Sequence, residues 1–115
     1  MVAYDPGKSK DYKDTVYSIA LQHRPATPIA GAVSLTIRVF RATPKAFSKK
    51  KVLEAEAGLI LPTTKPDAEN YAKGATDALT GIMWVDDSQI VSLHVSKMFS
   101  SSPRMEFEIS EVIAG

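Results

Sequence analysis

The chain contains no cysteine. That excludes a disulfide framework, a thiolate zinc site, an iron–sulfur cluster and a cysteine nucleophile, and it fits a reducing compartment. There are two histidines, His23 and His94, too few for an imidazole cage. A metal site would have to be built from carboxylates, which suits magnesium, manganese or calcium. No apolar run approaches the roughly 18 residues of a membrane span. The opening Met1-Val2-Ala3-Tyr4-Asp5-Pro6-Gly7 lacks the apolar stretch of a secretory signal. The expectation is a cytoplasmic protein with no membrane partner. An excess of one charge is missing as well: 14 basic residues face 13 acidic ones, for a net +1. If nucleic acid is the partner, its positive surface must be local rather than global.

What remains is one domain of 115 residues, 44% hydrophobic and 23% charged, with no repeat and no low-complexity tract. A compact chain of this length has a radius of gyration of roughly 13 Å. The opening to Ser9 reads as a turn around Asp5-Pro6-Gly7. Tyr12, Val16, Ile19, Ala20 and His23 follow helical spacing, which predicts a helix over residues 10–24, broken by Pro25, Pro28 and Gly31. Val33, Leu35, Ile37 and Val39 alternate with Ser34, Thr36 and Arg38, the period of a half-buried strand. Residues 48–56 are polar with good helix formers and read equally as a helical turn or a charged loop. Leu59-Ile60-Leu61 reads as a short extended piece before Pro62.

Ala68, Tyr71, Ala72, Ala75 and Leu79 predict a second helix over 68–80, with Gly81 as its stop. A strand follows over 90–99, with Val91, Leu93 and Val95 on one side. Met105, Phe107 and Ile109 mark a last strand, and Ser100-Ser101-Ser102-Pro103 reads as a hairpin loop between the two. The expected class is α/β: a small mixed sheet with two main helices packed on it. The stretch Ile82-Met83-Trp84-Val85 reads as core with some interface exposure.

Acidic residues gather late. Asp67, Glu69, Asp77, Asp86 and Asp87 fall within 21 positions, with Lys73 among them. Glu69, Lys73 and Asp77 are spaced i, i+4, i+8 and share one helical stripe. Converging carboxylates repel unless a cation sits between them, and magnesium takes one or two carboxylates together with phosphate oxygens. Three acids and a lysine therefore suit metal-assisted cutting of a phosphodiester. The bland reading uses the same residues. Asp67 is a good helix N-cap, Glu69 complements the helix dipole, and Glu69–Lys73 and Lys73–Asp77 are ordinary i, i+4 pairs. Spacing alone leaves both open. His94 reads as a packed or surface side chain and Trp84 as core or interface. Lys49, Lys50 and Lys51 read either as a solvated face or as phosphate contacts.

The continuous stretch from Lys65 to Ile90 is more specific than its charges. Asp67, Glu69, Asn70, Lys73, Asp77-Ala78-Leu79, Gly81 and Asp86-Asp87-Ser88-Gln89 resemble the signature of the RusA family of Holliday junction resolvases. Tyr4-Asp5-Pro6 with Tyr12-Lys13, and Arg104-Met105-Glu106-Phe107-Glu108-Ile109, resemble the family's flanks. The resemblance implies a RusA-like fold and a magnesium-dependent endodeoxyribonuclease, with manganese as a substitute metal, in phage or prophage DNA recombination and repair. It implies a homodimer making paired nicks in four-way junctions and related branched DNA. Position by position, Asp67, Glu69 and Asp87 match the metal-binding acids and Lys73 the catalytic lysine. Asp86 is the neighbour of the ligand and Asp77 a structural position. Lys49, Lys50, Lys51, Lys65 and Arg104 would touch the DNA backbone. Tyr71 would stack on a base or pack in the core.

Two departures stand out. Glu69 replaces the usual Asp, moving a carboxylate by about one bond length, ~1.5 Å. The expectation is also that the basic N-terminal segment usual in the family is missing, as in a truncated, naturally short or degenerate prophage copy. Both departures favour an alternative: a weak or inactive junction-binding remnant. A third reading is a small α/β protein with no DNA role.

Overall fold

A computed structural model describes residues 2–4 and 12–113, with side chains from 14 to 113. The expected turn at Asp5-Pro6-Gly7 lies outside the described residues. In chain order the elements are β1 (Val2–Tyr4), α1 (Tyr12–Gln22), β2 (Val33–Ala42), α2 (Lys49–Glu56), α3 (Ala68–Leu79), a one-turn 3-10 helix (Asp87–Gln89), β3 (Ile90–Ser100) and β4 (Arg104–Glu111). The strands form one mixed sheet in the order β1-β4-β2-β3. β2 and β3 are parallel, joined through α2 and α3, while β4 is antiparallel to β2 and to β1.

The core follows from the alternation in β2. Val33, Leu35, Ile37 and Val39 are fully buried, and the residues between them are half-exposed. Their face carries α1 and α3. Val16, Ala20, Leu79, Met83 and Phe107 close one cluster there, together with Trp84 and Met105. Fully burying a side chain such as Leu35 contributes roughly 1.5–3 kcal/mol. Ile82, Met83 and Trp84 are buried while Val85 is exposed, so this stretch is core as expected. Trp84 donates from Nε1 to Thr80 Oγ1 at 2.9 Å, which satisfies its polar atom at the end of α3. The other face of the sheet is polar: Arg38 reaches across to Glu108 at 2.6 Å and Glu106 at 3.7 Å.

Four local expectations are settled or corrected. Residues 48–56 do form a helix: Ser48 Oγ accepts from Lys51 N at 3.3 Å, Ala55 is buried, and Glu56 Oε1 accepts from Ser101 N at 2.6 Å. Val2–Tyr4 is an edge strand rather than a turn. Leu59-Ile60-Leu61 joins no ladder, and Leu59 and Leu61 are exposed. Residues 100–103 do not make a hairpin. β2 lies between β3 and β4, so the loop crosses the end of β2, a gap of about two strand spacings, ~10 Å. The radius of gyration is 15.3 Å, above the compact expectation. The extents of 48 × 34 × 20 Å explain it: the molecule is a flat slab.

Candidate functional site

The signature residues lie along α3 and the loops at its two ends. Asp67 is the N-cap: its backbone is extended and its Oδ1 accepts from Asn70 N at 2.9 Å. Glu69 stands in the first turn and is exposed. Both carboxylates are favoured by the helix dipole. The 12-residue helix buries Ala72, Ala75, Ala78 and Leu79. That turns Glu69, Lys73 and Asp77 together onto its exposed stripe.

The segment before Asp67 is held from the sheet. Lys97 Nζ on β3 donates to Thr64 O at 2.9 Å and Pro66 O at 3.1 Å. Arg41 on β2 donates to Thr64 O at 3.0 Å and Oγ1 at 3.2 Å. Two cations thus fix the carbonyls leading into the cap. Sequence reasoning missed both, because a single cation on a strand belongs to no motif. The Lys65-Pro66 peptide is cis, and Lys65 is exposed.

The far end of α3 carries the second half of the signature. Gly81, at φ 94°, turns the chain, and its N–H donates to Trp84 O at 2.7 Å. That conformation suits a residue without Cβ. The next loop is organised by one amide. Gln89 Oε1 accepts from Val85 N and Asp86 N, both at 2.8 Å, while Nε2 donates to Ile29 O at 2.7 Å and Gly31 O at 2.8 Å. All four hydrogen-bonding positions of a glutamine side chain are used. Ser88 Oγ donates to the Asp86 carboxylate. Asp86 is thereby a local cap, and Asp87 is the exposed acid beside it.

The two acidic groups are far apart within one chain. Lys97, seven residues into β3, sits at the Asp67 end, whereas Asp87 precedes the first residue of β3. A 12-residue helix between them spans about 18 Å. Among the described residues, no group of three His, Cys, Asp or Glu side chains is placed to hold a metal ion. Asp67 and Glu69 share one end, and Asp87 lies at the other.

The remaining candidates divide by contact. Lys49, Lys50 and Lys51 are exposed at the start of α2, with Lys51 Nζ 5.6 Å from the centre of the Phe47 ring. Tyr71 is half-buried and packs against the core. Burial raises its hydroxyl pKa above the ordinary 10, and the nearby Arg41 charge partly opposes this. Arg104 is engaged locally: it lies over the Phe40 ring at 3.8 Å and bonds Glu106 at 2.8 Å and Ser102 O at 2.9 Å.

Charge is sharply segregated. Residues 41–66 hold Arg41, Lys45, Lys49, Lys50, Lys51 and Lys65 against Glu54 and Glu56. That is +4 in a chain of net +1, leaving eight basic and eleven acidic residues elsewhere. The Arg41–Thr64 and Lys97–Pro66 bonds hold the two ends of this basic stretch beside Asp67.

A family model described as endodeoxyribonuclease RusA matches residues 2–110, nearly the whole chain. The chain belongs to the RusA endodeoxyribonuclease family. A relative in Bacillus subtilis (strain 168), the uncharacterised protein YqaN, is 53% identical over 112 residues, covering 96% of this chain and 79% of the relative. RusA family membership points to nuclease activity on branched DNA. Nucleases of this family generally use a divalent metal and generally act as dimers. No helix among the described residues is long and apolar enough to cross a membrane.

Proposed function

We propose that the chain is a magnesium-dependent endodeoxyribonuclease that resolves four-way and related branched DNA by paired nicks as a homodimer. One observation carries the reading: the exposed pair Asp67 and Glu69 is flanked by the basic stretch 41–66 at one end of the slab. Acids to hold a cation and bases to hold phosphates stand side by side.

Within one chain the donor set does not fit a three-carboxylate metal, because Asp87 is at the wrong end of α3. The dimer resolves this. In a two-fold pair with the two α3 helices antiparallel, the Asp67 and Glu69 end of one copy meets the Asp87 loop of the other. Each dimer then has two equivalent sites, as paired nicking needs. A magnesium ion held there would lower the pKa of a bound water and offset phosphate charge. The chain's own groups supply the rest. Lys73, one helical turn from Glu69, meets a non-bridging phosphate oxygen. Lys49, Lys50, Lys51 and Lys65 bind the flanking backbone without reading sequence. Gln89 fixes the loop that presents Asp87, and Lys97 with Arg41 fixes the loop that presents Asp67.

A second reading, junction binding without cleavage, is favoured by the separation of Asp87 from Asp67. Nicking of a labelled four-way junction separates the two. Paired cuts that need magnesium and vanish with EDTA or Asp87→Asn support the nuclease. Binding without cuts at any magnesium concentration supports the binding module.

A further inference from the structure

The basic end of the slab also contains a groove of about 470 Å³, lined by Arg41, Pro44, Phe47, Leu61, Thr64 and Phe99 among others. The volume lies in the range of small-ligand sites. Two aromatic side chains form its wall: the Phe47 and Phe99 rings meet edge to face, with centroids 5.7 Å apart and planes at 73°. Leu61 leaves half its surface to solvent. Phe47 is half-buried, and the flexible ammonium end of Lys51 lies over its ring at 5.6 Å.

The surroundings say what would enter. The groove sits inside the stretch that carries +4, so its partner is an anion with an apolar, flat component. Its far lip is Thr64, three residues before Asp67, and that residue is clamped by Arg41 and Lys97. An unpaired nucleotide has the required chemistry. Its base is flat and stacks on aromatic rings, and its phosphates face lysines.

The geometry points to this groove as a seat for one unpaired DNA base next to the cleaved phosphate. The base lies against Phe47 and Leu61, and Lys51 swings from the ring to the flanking phosphate. Selectivity for branched DNA follows directly. A continuous duplex offers no unstacked base, whereas the strands at a junction's crossover do so at low cost. The seat rests on the nuclease reading for its position beside the cut, but binding alone tests it.

The test uses the full chain in EDTA with two four-way junctions. One carries 2-aminopurine at the crossover and the other an abasic site there. Binding is expected to change the 2-aminopurine fluorescence. Phe47→Leu and the abasic site should each weaken binding about tenfold, and together hardly more than either alone. Changing Lys49, Lys50 and Lys51 to Gln should weaken both junctions equally and flatten the salt dependence. The seat is overturned if neither Phe47→Leu nor the abasic site moves affinity by more than about twofold. Should Phe47→Leu fail to fold, the abasic junction with unaltered protein decides alone. Base-dependent binding without nicking would refute the nuclease and keep the seat. No junction binding at low salt would end both.

Discussion

If each metal site draws Asp67 and Glu69 from one copy and Asp87 from the other, two inactive proteins should repair each other. Asp67→Asn and Asp87→Asn are each expected to abolish nicking as homodimers, because every site then lacks a ligand. Mixed and allowed to exchange subunits, they form dimers in which one site carries both substitutions and the other carries neither. Random pairing puts half of the copies in mixed dimers, each with one intact site of two, so about a quarter of all sites are restored. A site contained in one chain gives no such recovery, since every chain would still carry a defect. The magnitude comes from α3: the helix that stands between the two acids in a chain is about 18 Å long. That is far beyond metal–oxygen bond lengths near 2.1 Å. The assay is single-strand nicking of a labelled junction, because one working site makes one cut per binding event. Recovery near a quarter, in nicks rather than paired cuts, is the expected result. If the mixture stays as inactive as its parts while fluorescence transfer shows that subunits have exchanged, the shared-site argument is refuted.

The supporting structure gives further tests. Asp67→Asn keeps the cap on Asn70 N and should leave stability near that of the original, while Asp67→Ala should cost about 1 kcal/mol in urea unfolding. Gln89→Glu replaces the donors to Ile29 O and Gly31 O with acceptors and should destabilise by about 2–3 kcal/mol at neutral pH. Part of that loss should return in acid, where the new carboxyl regains a proton, and urea midpoints across pH would show it. Lys97→Met removes the donor to Pro66 O and leaves Thr64 O to Arg41 alone, and it should raise hydrogen exchange around residues 64–70, with Lys97→Arg restoring part of the protection. Tyr71 is held protonated by burial, so its contribution is complete below about pH 10 and is lost as pH rises beyond that. Tyr71→Phe should remove this part of the alkaline decline in thermal melts.

Most elements were legible because they carry a period. The alternation of Val33, Leu35, Ile37 and Val39 and the spacing of Ala68, Ala72, Ala75 and Leu79 are each set by burial against one layer. α2 was ambiguous because three consecutive lysines leave it one buried residue, Ala55, and its stability comes from Ser48 and the distant Ser101. The supposed hairpin at 100–103 failed for a related reason. Turn residues announce a reversal, but nothing local says whether β2 already occupies the place between the two strands. The site shows the same division between local and distant information. A motif supplied Asp67, Glu69, Lys73 and Asp87 as a set, yet the helix that makes the motif recognisable is also the rod that holds Asp87 away from Asp67. A set of residues close in sequence and separated in one copy is intelligible when the working unit is larger than the chain. On that view the lysine and arginine that clamp residues 64–66, and the amide that fixes the Asp86–Asp87 loop, have parallel roles. Each holds one half of a site rigid, so that two copies can complete it when they meet.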